Sequence, residues 1–258
     1  MQSANFDDNF KPKDKVVLID SKKRIFLITL EIGGKFHSHG GVVDHDLIIG
    51  QKEGLNVSTP MGYKLICFRP TLEDIILKMP RGAQVIYPKD IGKILMAADI
   101  KPDITVVESG VGSGALSMAL LRLNVKLTGY EIREDFLKIA LANVELNLGK
   151  RNNYILKHRD IYEGIDEAGL DRIILDLPEP QRAVSHAKNA LKCGGILLCY
   201  LPTINQVSIL TEVLRNFGFD YIETTETFER TWNVTTKSVR PDHRMTAHTG
   251  FIVKARNT

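Results

Sequence analysis

Three cysteines in 258 residues are too few, and of the wrong parity, for a disulfide framework. Cys67, Cys193 and Cys199 show no Cys-x-x-Cys spacing, and two of them lie in apolar, strand-like runs, so free thiols in a reducing compartment are expected. No apolar stretch approaches the roughly 20 residues that cross a membrane. Residues 1–15 mix acids with bases and carry no apolar core, unlike a secretory signal, so a cytoplasmic protein with no membrane partner is expected. Charge of one sign is scarce too: 34 Lys and Arg against 31 Asp and Glu leave a net charge of only +3. Composition therefore announces no nucleic acid, and a polyanion would need a local patch. Internal repeats and low-complexity segments are absent. His37, His39 and His45, with Asp44 and Asp46, sit in a turn-rich stretch without a matching distal ligand; a solvated loop, with no metal, is the expected reading.

What the chain does have is a change of pattern near residue 70. Before it, short apolar runs at Lys15–Ile19, Arg24–Leu30, Leu47–Ile49 and Tyr63–Phe68 alternate with glycine-rich turns. This spacing predicts a β-rich module, a small barrel, over residues 1–70. Thr71 and the acids after it open a short linker helix within 71–84, stopped by Pro80 and Gly82. From residue 85 to 258, strands at Ile104–Glu108, Leu127–Glu131, Tyr154–Asp160, Arg172–Leu177 and Gly195–Leu201 alternate with helical patterns. That alternation defines an α/β fold with a parallel sheet covered on both faces. After Gly218 no crossover helix follows, and runs at Tyr221–Trp232 and Thr249–Lys254 would close the sheet as an antiparallel hairpin with a long insertion.

The densest chemistry lies at the ends of these strands. The first ends in Glu108-Ser109-Gly110-Val111-Gly112-Ser113-Gly114-Ala115-Leu116, where glycines let the chain take positive φ and let a ligand approach the backbone. Glu131 ends the second strand about 20 residues later, placed for ribose hydroxyls. Asp160 and Asp176 close two more. These acids lie along the edge where open α/β sheets bind ligands. The glycines alone leave NAD open, since Ala115 can stand as the last small residue of a dinucleotide fingerprint. Asp176-Leu177-Pro178-Glu179-Pro180 points elsewhere: two prolines stiffen a turn that can hold a carboxylate against a flat substrate, which hydride transfer does not need.

In these motifs, and in Gln84-Val85-Ile86-Tyr87-Pro88-Lys89-Asp90, Arg240-Pro241-Asp242-His243-Arg244-Met245 and His248-Thr249-Gly250-Phe251, the chain resembles the tRNA (adenine-58-N1)-methyltransferases of the TrmI family along nearly its whole length. It carries Ser109 and Val111 where the family usually has alanine and threonine, and Gln181 where bacterial members usually carry tryptophan. The resemblance implies a Rossmann-like class I methyltransferase sheet behind a small N-terminal β-barrel, S-adenosyl-L-methionine as cofactor, tRNA as substrate and a homotetramer. It implies that the loop headed by Glu108, from Gly110 through Val111, Gly112, Ser113, Gly114 and Ala115 to Leu116, wraps the methionine and ribose part of the cofactor. Glu131 would take the ribose hydroxyls, Phe136 would lie near the adenine, and Asp160 would accept from its amino group. Asp176 would sit beside the methyl group and the incoming base, with Tyr87 as a wall on which that base stacks. The target adenine would have to leave the folded tRNA to reach them.

Two other readings share some of these features. A protein-isoaspartate O-methyltransferase has a similar glycine loop, but the Asp-Leu-Pro-Glu-Pro turn and the Arg-Pro-x-His-Arg-Met stretch argue against it. A non-catalytic tRNA-binding subunit would not need the intact glycines and all four strand-end acids. Arg240, His243 and Arg244 suit RNA phosphate or acids of another subunit equally well.

Overall fold

The computed structural model describes residues 9–82 and 84–258, which fall into two compact units that part between Met79 and Pro80. The first unit contains β1 (Lys15–Asp20), β2 (Ile25–Thr29), β3 (Lys35–Ser38), β4 (Gly41–Asp44), β5 (Asn56–Ser58), β6 (Lys64–Phe68) and the helix α1 (Leu72–Lys78). Four strands pair antiparallel in the order β2-β1-β6-β5, and β3 with β4 makes a separate hairpin. The expected barrel is thus an open sheet: among the described residues β2 and β5 remain its edges, and β5 has only three residues with which to pair. Alternation on β1 and β6 sends Val16, Leu18, Leu65 and Cys67 into a core shared with Leu30 and Ile48. The run at Leu47–Ile49 enters a 3-10 helix at His45–Leu47 instead of a strand. His37, His39, Asp44 and Asp46 are exposed as expected, but His45 is buried, its Nδ1 accepting from the Glu31 amide at 3.1 Å. Thr71 caps α1 in a capping box with Asp74.

The second unit runs α2 (Pro88–Ala97), β7 (Thr105–Ser109), α3 (Ala115–Arg122), β8 (Lys126–Glu131), α4 (Glu134–Leu148), β9 (Tyr154–His158), β10 (Leu170–Leu175), α5 (Val184–Ala190), β11 (Leu191–Leu201), α6 (Ile204–Asn216), β12 (Phe219–Glu226), β13 (Trp232–Thr235), β14 (Ser238–Pro241) and β15 (Phe251–Asn257). Seven strands form one sheet in the order β12-β15-β11-β10-β7-β8-β9. β7 to β11 are mutually parallel, and β15 is antiparallel to both β11 and β12, so the last two strands close the sheet as a hairpin. The insertion between them holds a second, free-standing hairpin, β13–β14.

Period-two alternation divides the side chains. Val107, Ile173, Leu175, Leu197, Cys199 and Leu201 pack with Ala187 of α5 and Leu210 and Leu214 of α6. Their neighbours in sequence, Glu108, Arg172 and Tyr200, face α2 and α3: Ser117 of α3 bonds Glu108, and Asp90 of α2 receives the Tyr200 hydroxyl. Arg172 caps the C-terminal end of α2 through the Ala98 carbonyl and Asp99. The crossover from β9 to β10 carries only a 3-10 helix, Ile161–Glu163, where the other parallel crossovers carry α-helices.

Candidate active site

The parallel strands end at one edge, and their terminal residues meet there. After Ser109 the backbone turns through Gly110 (φ 82°), Gly112 (φ 56°) and Gly114 (φ 81°), the last serving as N-cap of α3. A Cβ on Gly110 would strike the carbonyl oxygen of Asp176. The Asp176 amide in turn donates to the Ser109 carbonyl at 2.9 Å. The loop after β7 and the turn after β10 are therefore in direct backbone contact. Gln84, Val85, Glu108, Gly110, Ser113 and Asp176 are among the residues that line the cavity between them. It adjoins, through Gln84 and Val85, an open cleft of 420 Å³ to which Arg81, Gly82 and Tyr87 contribute.

Three acids close on this loop from different sides. Glu131 is buried and holds the glycine turn itself: Oε2 accepts from the Gly112 amide at 2.9 Å and Oε1 from the Arg133 amide at 2.9 Å. Each oxygen keeps a second lone pair. Glu108 is buried below the loop and accepts from the Ser117 hydroxyl at 2.6 Å. Burial, aided by the neighbouring Asp176 and Glu131, pushes its carboxyl up to about 8. Asp176 is half-buried, and burial with no opposing hydrogen bond pushes it up to about 7. Asp160 caps the 3-10 helix after β9, accepting from the Tyr162 amide at 2.9 Å. It stays near Glu131 because the Arg159 amide donates to the Glu131 carbonyl at 3.1 Å.

Several groups here want a partner. Among the described residues the buried Ser113 hydroxyl has none. The first amides of α3 have no side-chain cap, so donors stand open where an anionic group can be received. Together with acids that can accept hydroxyl and amino protons, this donor set fits a ligand that carries a carboxylate, a ribose and a positive charge. Tyr87 is half-buried at the cleft, as N-cap of α2. Phe136 is buried on α4, with Arg133 3.8 Å over its ring and Gly82 against its edge. A groove of 490 Å³ opens at the opposite edge of the sheet, beside the crossover that lacks a helix, but none of the four strand-end acids lines it.

Sequence reasoning singled out Tyr87 from its motif and passed over Lys89 and Asp90, which prove to be fully engaged (below). It also passed over Ser117, whose hydroxyl holds Glu108. The signal for Ser117 was present as a hydroxyl on the buried face of an otherwise apolar helix.

The sheet order, the glycine loop and the strand-end acids define a methyltransferase of the class I fold. The family described as the tRNA methyltransferase complex GCD14 subunit matches residues 64–256, and the TrmI-like N-terminal family matches residues 9–57. The tRNA (adenine(57)-N(1)/adenine(58)-N(1))-methyltransferase TrmI of Methanocaldococcus jannaschii is 36% identical, covering 93% of this chain and 94% of its own. The solved TrmI tRNA (m1A58) methyltransferase of Aquifex aeolicus superposes with a TM-score of 0.88 at 29% identity, over 97% of this chain and 99% of that one. A solved S-adenosylmethionine-dependent O-methyltransferase of Thermotoga maritima reaches a TM-score of 0.94 at 34% identity, over 100% and 97% of the two chains. The chain belongs to the TrmI family of tRNA (adenine-N1)-methyltransferases.

Proposed function

We propose that this protein methylates N1 of an adenine in the T-loop of tRNA, at position 58 and, as in the archaeal relative, with 57 as a second candidate. When bound, S-adenosylmethionine would supply an electrophilic methyl on a sulfonium to adenine N1, with the thioether as the leaving group. The chain's own residues hold and orient. Uncapped amides of α3 and the Ser113 hydroxyl receive the cofactor's carboxylate end, and Glu131 and Asp160 offer acceptors to its ribose and adenine. Tyr87 gives the target base a face on which to stack. Asp176 accepts from the N6 amino group, fixes the ring and opposes the positive charge that grows on it. No general base is needed, because N1 of neutral adenine carries a free lone pair, and alignment alone can supply roughly 7–11 kcal/mol of barrier lowering.

The observation that carries this reading is Asp176, a carboxyl without a hydrogen-bond partner among the described residues, set against the glycine loop by its own backbone. The isoaspartate reading has no comparable support, and the intact loop speaks against a non-catalytic subunit. Partners in this reading are tRNA and further copies of the chain in a homotetramer, for which exposed Ile132, Leu146 and Ile155 offer apolar surface to bury. The cytoplasm is the compartment, in keeping with three unpaired cysteines.

The test is incubation with an unmodified tRNA transcript and labelled S-adenosylmethionine, followed by mass-spectrometric mapping of the modified nucleotide. A 1-methyladenosine in the T-loop, lost when that adenine is replaced, is the expected result. Methylation of an isoaspartyl peptide with no transfer to tRNA would overturn the proposal.

A further inference from the structure

Asp90, in the first turn of α2, is 0% exposed and is held from four segments of the chain. Lys89, at 2.8 Å, and the Thr227 hydroxyl donate to its Oδ1, while the Thr249 hydroxyl at 2.7 Å and the Tyr200 hydroxyl at 3.2 Å donate to Oδ2. The Lys89 ammonium is equally complete: its other donors go to the Thr227 carbonyl at 2.7 Å and the Thr249 hydroxyl at 2.6 Å. Burial works against the charge on Asp90, yet Lys89 and the two threonines keep the carboxyl below its usual range.

The placement of these partners is what matters. Thr227 follows the last residue of β12, and Thr249 comes just before β15. Between them lies the insertion with the β13–β14 hairpin. Its register sets Trp232 opposite Pro241 and Val234 opposite Val239 on one face, and Asn233 opposite Arg240 on the other. Trp232, Val234 and Val239 are all more than half exposed. A two-stranded hairpin has little stability of its own, so its direction depends on its roots. Asp90 grips both roots. The same residue belongs to the helix start that Tyr87 caps, its amide donating to the Tyr87 carbonyl at 2.9 Å.

We infer that Asp90 is a positioning residue: by tying both roots of the inserted hairpin to the start of α2, it fixes the hairpin relative to Tyr87 and Asp176 and so governs how the nucleic-acid substrate is engaged. The identity of that substrate rests on the tRNA reading above. Neither Asp90 nor Lys89 lines the cavity of the glycine loop, so cofactor binding does not pass through them. An ion pair that served only the fold would, on removal, weaken every function in step with stability.

The experiment uses the full chain with Asp90→Asn, which keeps shape and removes charge, and with Thr249→Val as the milder variant should the first fail to fold. Three quantities are read: S-adenosylmethionine affinity by calorimetry, backbone hydrogen exchange, and steady-state methylation of a tRNA transcript. Asp90→Asn should leave cofactor affinity within about threefold of the parent, well below the loss that misplacement costs the substrate step. Exchange should quicken in residues 227–249 and at the start of α2 but not in β7 or β10. The kcat/KM for tRNA should fall on the order of 10- to 100-fold, mostly through KM, with Thr249→Val showing the same pattern at smaller size. Unchanged exchange in the insertion, or cofactor affinity and tRNA kinetics falling together with the melting temperature, would overturn the inference. If the unaltered protein leaves tRNA unmethylated, the functional proposal fails, and exchange in the insertion alone decides whether Asp90 grips the hairpin.

Discussion

The Gly112 amide donates to Glu131 Oε2 at 2.9 Å, so the acid at the tip of β8 braces the glycine loop of β7 before any ligand arrives. Its role is double: it shapes the loop with one set of lone pairs and offers the other set outward.

Glu131→Ala should therefore weaken S-adenosylmethionine binding by about 1.5–3 kcal/mol, the size of a charge-assisted hydrogen bond with an ionised acceptor. Glu131→Gln should lose less, since its amide oxygen can still accept from Gly112. Calorimetry on the folded variants checks both, and equal affinities for all three proteins would remove Glu131 from the site.

Asp176 should act on the rate. Asp176→Ala keeps the backbone contact with Gly110 and removes only the carboxyl. Single-turnover methylation with saturating tRNA and cofactor should slow on the order of 10²–10³-fold, as for loss of one preorganised electrostatic contact. Cofactor and tRNA affinities should stay near those of the parent, because the interaction belongs to the transition state. Asp176→Asn should be nearly as slow. Rates within a few fold of the parent for both variants would leave Asp176 as part of a turn.

The carboxyls also set a pH dependence. Burial raises Asp176 from 3.8 to about 7 and Glu108 from 4.5 to about 8. Below their ordinary values the folded and unfolded chains are protonated alike. As pH rises toward 8 the folded chain retains protons that the unfolded chain releases, so these two groups lower stability with increasing pH. Glu108→Gln should flatten the melting temperature against pH between 5 and 8. For turnover the sign reverses: the positive charge that grows on the adenine prefers Asp176 ionised, so the single-turnover rate should climb up to about tenfold from pH 6 to 8. Asp176→Asn should lose that pH dependence of the rate in the same single-turnover series.

Gly110→Ala should cost more than any other single methyl added to the loop. The residue needs φ 82°, and its Cβ would meet the Asp176 carbonyl. Several kcal/mol of stability and most of the cofactor affinity should go with it. Gly194→Ala, at φ 77° with open space around it, should lose only about 1 kcal/mol and keep cofactor binding, as thermal melts and calorimetry will show.

Much of this was legible in the chain. The sheet, its crossovers and the edge where Glu108, Glu131, Asp160 and Asp176 stand at or just beyond the strand ends follow from runs long enough to show their period. The first unit was harder: β3, β4 and β5 have three or four residues each, too short for alternation to declare itself. A sheet's closure into a barrel depends on pairings remote in sequence, which no local pattern states. The site followed the same rule. Glu108 stands at a strand end for anyone to see, but its bond to Ser117 follows from how α3 lies on β7. Phe136 follows Glu131 closely in the chain, but the contacts of its ring with Gly82 and Arg133 come from packing that no local pattern states. Lys89 and Asp90 read as ordinary residues of a helix start, because their partners Thr227 and Thr249 lie more than a hundred residues away.

The contact between Gly110 and the Asp176 carbonyl also bears on how such a protein can be altered. A change in the loop that binds one reactant shifts the backbone that presents a carboxyl to the other. The two segments form one heritable unit, although they are distant in sequence. A library meant to accept a different nucleobase should therefore diversify residues 109–114 and 176–181 jointly. Randomising either stretch alone would mostly sample variants in which an altered segment meets an unaltered neighbour that no longer fits it.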